Sequence, residues 1–287
     1  MVRVSGPLAE VGVGGEVQGA RVAPRLPGGP PVAGDRVELR DRGGTLVIAR
    51  ILPRRTRLER MGTGGRHRVV VANADLLAVV AAVADPPLRP RLLDRYLVAA
   101  WAGGLDAAIV LTKVDLPHDP HEVAHVAGIY RDAGYPVLMG VASDRAFADE
   151  VRALIGSRVA ALAGHSGVGK STLTTALTGQ ARATGAVSER FGKGRHTTTD
   201  PRLIPIPGGG AVVDTAGVRT FFLPPIDPHD LAAAFPEIAD AAVACRFRGC
   251  LHLGDAGCAV EGRVSPERLE SYRRLAAATG GRRSGDA

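Results

Sequence analysis

The middle of the chain alternates short apolar runs with amphipathic stretches, and this pattern predicts a mainly parallel sheet. Six runs have strand character: Leu76 to Val83, Ala107 to Leu111, Val137 to Val141, Val159 to Ala163, Leu203 to Ile206 and Ala211 to Val213. Helical periodicity lies between several of them, near Leu92 to Trp101, Glu122 to Asp132 and Lys170 to Leu177. Strands that alternate with helices form a sheet covered on both faces, so residues 67–223 are predicted to be an α/β domain.

The pattern changes on both sides of this region. Residues 1–66 hold short alternating segments separated by Gly- and Pro-rich turns, with strands predicted from Val32 to Leu39 and from Thr45 to Leu52. This is typical of a small OB-like barrel, although any small β domain would fit the pattern. Residues 224–287 are mostly helical, and a helix is predicted to begin at Ser265. The predicted fold class is therefore multi-domain: an N-terminal β-barrel, a central α/β domain and a C-terminal helical domain.

Charge and composition favour a soluble protein with a polyanionic partner. The 287 residues carry a formal charge of +7, and only three of the 36 basic residues are lysines: Lys113, Lys170 and Lys193. The longest apolar run, Leu76 to Ala84, is too short to span a bilayer, and the N-terminus lacks a signal-peptide core. A cytoplasmic monomer without a membrane partner is expected. Seven arginines between Arg50 and Arg68 indicate either a solvated loop or a nucleic-acid surface.

A complete phosphate-binding loop follows the predicted strand that ends at Ala163. Residues Gly164 to Ser171 match G-x-x-x-x-G-K-[ST] and open a helix. In such a loop the glycines let backbone N–H groups surround phosphates, the lysine places a positive charge on the β- and γ-phosphates, and the hydroxyl binds Mg²⁺. The predicted nucleotide-contacting residues are Gly164, Gly167, Val168, Gly169, Lys170, Ser171 and Thr172, with Lys170 also assigned a catalytic role.

Thr112-Lys113-Val114-Asp115 is similar to the base-recognition box of GTPases and also follows a predicted strand. The Asp115 carboxylate can accept two hydrogen bonds from guanine, which adenine does not offer, so the box predicts a preference for GTP. Thr112, Lys113 and Asp115 are the predicted base-site residues. The usual first residue is Asn, and Thr112 keeps a hydroxyl that can join the box to the phosphate loop but lacks an amide. Val141 to Ser143 is placed to support the base.

Two further segments predict contacts near the γ-phosphate. Asp214-Thr215-Ala216-Gly217 is a D-x-x-G at a strand end, where Asp214 can hold the Mg²⁺ shell and the Gly217 N–H can sense the phosphate. Gly194 to Thr199 lies where a GTPase places a mobile threonine, so Thr197 or Thr198 is predicted to join Ser171 and Asp214 around Mg²⁺. A flexible polar linker is the other interpretation of that segment.

The order of these motifs is unusual, because the base box precedes the phosphate loop and the D-x-x-G. In most GTPases the loop comes first and the base box last. The sequence therefore predicts a circularly permuted GTPase domain.

Every cysteine of the chain lies in one short segment together with one histidine. Cys245, Cys250, His252 and Cys258 provide three thiolates and one imidazole, which suit a closed tetrahedral Zn²⁺ site without a position for catalytic water. Buried free thiols are the alternative. His118, His121 and His125 also have metal-like spacing, but a surface helix is the better interpretation.

Taken together, the chain resembles the circularly permuted GTPases that depend on the small ribosomal subunit, the RsgA/YjeQ family. The resemblance rests on the motif order, on Cys245 to Cys258 and on shorter stretches. These are Gly34 to Val37, Ala72 to Asp75, Asp94 to Leu97, Pro207 to Gly210 and Ser265 to Arg268. It implies an OB barrel at 1–66, a permuted GTPase at 67–223 and a zinc domain at 224–287. It also implies GTP, GDP, Mg²⁺ and one structural Zn²⁺ as cofactors, and a role with the small subunit and its rRNA in late subunit maturation.

Val218 stands where many GTPases carry a water-orienting Gln, and Val cannot polarise water. The resemblance points to His196 as the residue that replaces it once the ribosome docks. Two other functions fit the motifs less well. An ATP-using enzyme conflicts with Asp115, and an RNA-binding scaffold with a degenerate nucleotide site conflicts with the intact Lys170, Ser171 and Asp214.

Overall fold

The computed structural model describes residues 2–61, 67–180, 201–215 and 221–279, which form two larger sheets, one hairpin and seven helices. The strands are β1 (Arg3–Ser5), β2 (Leu8–Val13), β3 (Glu16–Val22), β4 (Val37–Asp41), β5 (Leu46–Ile51), β6 (Arg57–Met61), β7 (His67–Ala72), β8 (Leu76–Ala82), β9 (Asp106–Thr112), β10 (Val137–Met139), β11 (Val159–Ala163), β12 (Arg202–Pro205) and β13 (Ala211–Asp214). The helices are α1 (Pro90–Gly103), α2 (Pro120–Asp132), α3 (Arg145–Ile155), α4 (Lys170–Thr178), α5 (Pro228–Ala232), α6 (Pro236–Ala242) and α7 (Pro266–Thr279).

The N-terminal sheet has the order β1-β2-β3-β5-β4, with antiparallel pairs except for β3 and β5. Its small core consists of Ala9, Val11, Ala20 and Ile48. Five short strands around so small a core agree with the predicted β-rich N-terminal domain.

The predicted strand from Val32 to Leu39 is wrong in its first half, because β4 begins only at Val37. The chain turns instead before β4. The Asp35 carboxylate accepts a hydrogen bond from the Val32 N–H at 2.8 Å and two from the Arg54 guanidinium. Gly34 has a φ of +88°, and a Cβ there would lie 1.8 Å from the carbonyl oxygen of Ala72. The turn therefore requires glycine where the chain passes this close to β7.

The central sheet has the order β10-β9-β8-β11-β13-β12, and all its pairs are parallel except the edge pair β12–β13. β8 lies in the middle and is buried on both faces, as its unbroken apolar sequence predicts. Leu77 and Val79 pack into the core beneath α1 and α2, whereas Leu76 and Val80 pack into the core beneath α3 and α4. The predicted parallel α/β domain is confirmed.

Helix α3 was not predicted from the sequence, although its pattern is present. Asp144 caps its N-terminus by accepting a hydrogen bond from the Ala146 N–H at 3.0 Å. Phe147, Val151 and Ile155 follow at intervals of four residues and are buried, so they form one apolar face.

Backbone hydrogen bonds are among the contacts that join the N-terminal strands to the central domain. The Leu203 N–H on β12 donates to the Val2 carbonyl at 2.9 Å, and the Phe222 N–H donates to the Glu59 carbonyl on β6 at 2.8 Å. β6 pairs antiparallel with β7, so the predicted domain boundary at residue 66 falls inside a hairpin.

The C-terminal helices pack on α1 through a buried ion-pair network. Arg268 on α7 donates to the carboxylates of Asp94 on α1 and Glu237 on α6, the second at 2.6 Å. Its guanidinium also lies 4.4 Å from the Phe235 ring centroid. Burial lowers the pKa of Arg268, but the two carboxylates raise it by more, so the residue stays charged. The Tyr130 hydroxyl donates a further hydrogen bond to Asp94 at 2.8 Å.

Candidate nucleotide-binding site and metal centre

The phosphate loop connects β11 to α4 at the carboxyl edge of the sheet. A Cβ at Gly164 would lie 2.0 Å from the Val80 carbonyl oxygen on the neighbouring strand, so only glycine fits there. Gly167 and Gly169 have φ values of +83° and +92°. Gly169 is the N-cap of α4, whose first backbone N–H groups lack intrahelical acceptors. The loop therefore has the curvature and the helix N-terminus that an anion requires.

Lys170 crosses the inside of this loop. Its Nζ donates to the Gly164 carbonyl at 2.7 Å and to the His165 carbonyl at 2.6 Å. The ammonium is therefore held among backbone carbonyls at the start of α4. Ser171 and Thr172 follow in the first turn of the helix.

Thr112, the first residue of the base box, is the last residue of β9. Strand β8 lies between β9 and β11 in the sheet. The buried Thr112 hydroxyl lies 2.7 Å from the Val168 carbonyl in the phosphate loop and 3.2 Å from the Ala81 carbonyl on β8. Its single proton serves one acceptor at a time. The predicted link between the base box and the phosphate loop is therefore present, and it is carried by a hydroxyl.

Lys113 adopts the left-handed conformation, with a φ of +62°, immediately after β9. Its ammonium donates to the carbonyl of Asp85, in the segment that follows β8. Asp115 follows with an exposed side chain, as a residue that receives a base requires. The sequence did not indicate Asp85 as the residue that holds the lysine in place.

The segment after β10, Val141 to Ser143, lies against the phosphate loop. A Cβ at Gly169 would lie 3.4 Å from the Ala142 Cβ, so the predicted base-supporting segment Val141 to Ser143 does contact the phosphate loop. The Asp144 N–H donates to the Val141 carbonyl at 2.9 Å, which makes this segment a tight turn.

Asp214 is the last residue of β13, as predicted, and its side chain is buried. In the parallel pairing it is opposite Leu162, two residues before the phosphate loop begins. The adjacent Thr215 hydroxyl donates to the Leu162 carbonyl at 2.6 Å, which fixes this strand end beside the loop. Ser171 and Asp214 therefore lie on elements that meet at one edge of the sheet. His196, Thr197, Thr198 and Gly217 lie outside the described residues.

The predicted metal centre is assembled. One ligand atom from each of Cys245, Cys250, His252 and Cys258 lies within 4.8 Å of all the others. The His252 Nδ1 is 3.7, 3.4 and 3.5 Å from the three sulfur atoms in that order. Ordinary Zn–S and Zn–N bond lengths at tetrahedral angles require an S···N separation of about 3.6 Å. The four residues therefore fit Zn²⁺ in both chemistry and spacing.

The surroundings of these ligands control their protonation. Burial raises the pKa of the Cys250 thiol to about 12, and burial lowers the pKa of His252, which favours the neutral imidazole that a metal needs. Burial also raises the pKa of Cys245, but hydrogen bonds, chiefly from the Ala259 N–H, outweigh it and lower the pKa. These shifts apply to the protein groups alone, and a bound cation would favour the thiolates.

The other histidine group does not form a site in the described part of the chain. The His118 Nδ1 bonds to the Leu116 carbonyl at 2.7 Å, whereas the exposed His125 pairs with Glu267 at 3.2 Å. The interpretation of these histidines as surface residues agrees with this arrangement.

Comparison with known proteins identifies the family. The sequence model described as RsgA GTPase matches residues 51–224 of this chain. The chain belongs to the RsgA GTPase family. A relative from Gemmatimonas aurantiaca, named small ribosomal subunit biogenesis GTPase RsgA, is 44% identical over 253 residues, covering 84% of this chain and 82% of the relative. One of the same name from Azotobacter vinelandii is 40% identical over 256 residues, covering 86% and 74%.

Solved structures show the same fold. The crystal structure of YjeQ from Thermotoga maritima is 27% identical, with a TM-score of 0.76, and the match covers 98% of both chains. YloQ, described as a circularly permuted GTPase, has a TM-score of 0.74 at 24% identity, covering 99% of this chain and 95% of that one. The predicted permuted GTPase fold is therefore confirmed. As a member of the RsgA family the chain is a GTPase, and GTPases use GTP, GDP and Mg²⁺.

Within the RsgA framework, the short stretches that carried the resemblance have structural roles. Asp35 holds the turn before β4, and Asn73, with a φ of +53°, bonds to the Gly34 carbonyl at 3.0 Å and to the Arg55 N–H at 2.8 Å. Asp94 and Arg268 form the buried ion pair between α1 and α7. These residues connect the parts of the molecule, and the sequence alone did not reveal their partners.

Proposed function

We propose that this chain binds the small ribosomal subunit and assists its late maturation. It hydrolyses GTP to GDP and phosphate, and the subunit stimulates this reaction. The observation that carries the proposal is the Thr112 hydroxyl bonded to the phosphate loop, because it joins the base box and the loop at one sheet edge in permuted order. The names of the relatives from Gemmatimonas aurantiaca and Azotobacter vinelandii support the ribosomal part.

In this proposal each part of the site has one task. Backbone N–H groups of Gly164 to Ser171 bind the phosphates, and Lys170 places its ammonium against the charge that develops as phosphate leaves. Asp115 and Lys113 select guanine and hold its plane. When bound, Mg²⁺ neutralises the phosphate oxygens, and Ser171, Asp214 and either Thr197 or Thr198 would hold it. Gly217 senses the γ-phosphate through its N–H.

The proposal assigns water activation to His196. Val218 offers no polar atom to the attacking water, so slow hydrolysis is expected from the protein alone. Docking on the subunit then brings His196 into position. The decisive variant is His196→Ala, assayed with purified small subunits: a stimulated rate equal to that of the unmodified protein would contradict this role.

The proposal extends to the domains and cofactors. The chain consists of an OB barrel at 1–66, a permuted GTPase at 67–223 and a zinc domain at 224–287, with one structural Zn²⁺ on Cys245, Cys250, His252 and Cys258. It acts as a cytoplasmic monomer on rRNA. Within the described residues no helix is long and apolar enough to cross a membrane. The net charge of +7 supports a polyanionic partner.

The experiment that tests this function is GTP turnover with and without purified small subunits at two salt concentrations. We expect stimulation at low salt that falls at high salt, because arginine contacts with phosphate release counterions. Large ribosomal subunits are the matched control. Equal turnover with either subunit, or faster hydrolysis of ATP than of GTP, would contradict the proposal.

A further inference from the structure

The segment between the first two cysteine ligands exposes an aromatic ring beside two cations. The Phe247 side chain is 54% exposed, and Arg246 and Arg248 on either side are exposed as well. Val243, at the end of α6, is 89% exposed. Val243 and Phe247 both line one surface cavity, and exposed apolar side chains grouped in this way indicate a binding site.

This exposure is built into the fold. The Cys250 N–H donates to the Phe247 carbonyl at 3.2 Å, which closes a tight turn, and the Arg246 N–H donates to the Gly257 carbonyl at 3.2 Å. The Arg246 side chain packs over Gly257. A Cβ added at Gly257 would lie 3.1 Å from the Arg246 Cβ. With Cys245 and Cys250 fixed in one ligand cluster, the ring is held outward at little further entropic cost.

The cations of the turn are available to a partner. Among the residues that the structure describes, no carboxylate lies within 4 Å of the guanidinium of Arg246 or Arg248. Arg246 instead lies over the Phe247 ring, 5.4 Å from its centroid. Arg246 therefore has no carboxylate partner among the described residues, and its guanidinium lies next to the Phe247 ring.

A surface cavity of about 400 Å³ lies next to the ring. Its lining includes Phe247, Val243 and Arg248, and it borders the predicted metal centre through Cys245, Cys250 and His252. Its volume is within the range of small-molecule sites. A cavity of mixed polarity that presents an aromatic ring and an arginine matches a nucleotide, because the base has a π-face and the backbone is anionic.

We propose that the turn Cys245 to Cys250 is a single-stranded RNA contact in which an unpaired base stacks on Phe247 and Arg246 and Arg248 neutralise the flanking phosphates. The inference rests on the proposed function only in taking RNA as the partner. An acidic protein would use the two arginines without requiring an aromatic ring, and the test below separates the two.

The test measures binding of the zinc-loaded full chain to a labelled single-stranded RNA of roughly 12 nucleotides, a length within the usual range for one such surface. Phe247→Ala is expected to weaken binding roughly 5- to 100-fold, the effect of losing one base–aromatic stack. Phe247→Tyr should retain the affinity. Leu253→Ala is the matched control, since it removes an exposed apolar side chain of the same domain outside the cavity lining. Zinc content and basal GTP turnover verify that each variant is folded.

A direct readout removes the contribution of other RNA-binding surfaces. The chain has one tryptophan, Trp101, so Phe247→Trp in a Trp101→Phe background places the only indole in the turn. RNA should quench its fluorescence, and a double-stranded RNA of the same sequence should quench it less. Equal affinity of Phe247→Ala and Leu253→Ala, or no quenching at saturating RNA, would overturn the proposal. Loss of binding in Arg248→Gln but not in Phe247→Ala would indicate a charge contact alone and would also overturn it. None of these outcomes depends on GTP hydrolysis or on the subunit.

Discussion

At the scale of single residues, the Thr112 hydroxyl joins the predicted base box to the phosphate loop. Thr112→Val keeps the shape but leaves the buried carbonyl of Val168 without its donor. We expect a loss of about 1–3 kcal/mol in the free energy of unfolding and weaker GDP binding. Thr112→Ser is the control, because it keeps the hydroxyl. Denaturant unfolding and nucleotide titration measure both effects, and a valine variant as stable as the serine variant would contradict this role.

Arg268 is the second residue with a large expected effect. Arg268→Met leaves Asp94, which is almost fully buried, without its counter-ion. Removing one partner of a buried pair costs about 3–5 kcal/mol. Arg274→Met is the control, since the exposed pair between Arg274 and Glu270 is worth at most about 1 kcal/mol. Equal midpoints of denaturant unfolding for the two variants would show that the buried pair is not required.

At the scale of elements, the sequence predicted what depends on local pattern. The strands around the phosphate loop and base box were expected within a residue or two, because burial on both faces leaves a continuous apolar run. The beginning of β4 was missed because Val32 and Ala33 are apolar, yet Asp35 turns the chain there. Arg268 could not be predicted as buried, because a charged residue enters a core only when its partners are brought there by distant elements.

The proposed zinc centre is expected to stabilise the helices around it. Removal of zinc with a chelator, or His252→Ala, is expected to lower the midpoint of thermal unfolding by roughly 5 °C or more. The reason is that the segment between α6 and α7, which Tyr272 and Arg273 on α7 contact, loses its cross-link. His125→Ala is the control, as this histidine is exposed on α2. Differential scanning calorimetry, with the zinc content of each sample measured in parallel, tests this prediction. A zinc-free protein that unfolds at the same temperature would rule out a structural ion.

At the scale of the whole molecule, the N-terminal sheet and the GTPase sheet share a hydrogen bond from Leu203 to Val2. Deleting residues 2–5 removes β1 and the acceptor. We expect hydrogen exchange at the Leu203 amide to become faster by roughly fivefold or more. Deleting residues 280–287 is the control, and equal exchange in the two deletions would show that the contact does not hold β12 in place.

The sheet order also determines when a nascent chain can first bind nucleotide. Synthesis delivers β8, β9 and β10 before β11, β13 and β12, so the half of the sheet that carries Asp115 emerges before the half that carries Lys170. A domain generally folds as a unit, so the GTPase sheet is completed only after its last strand has been synthesised. A chain still on its ribosome therefore carries Asp115 before it carries the phosphate loop, and its predicted Mg²⁺ ligands are incomplete until Asp214 has been synthesised. Because the first half lacks the phosphate loop, an unfinished chain cannot hydrolyse GTP.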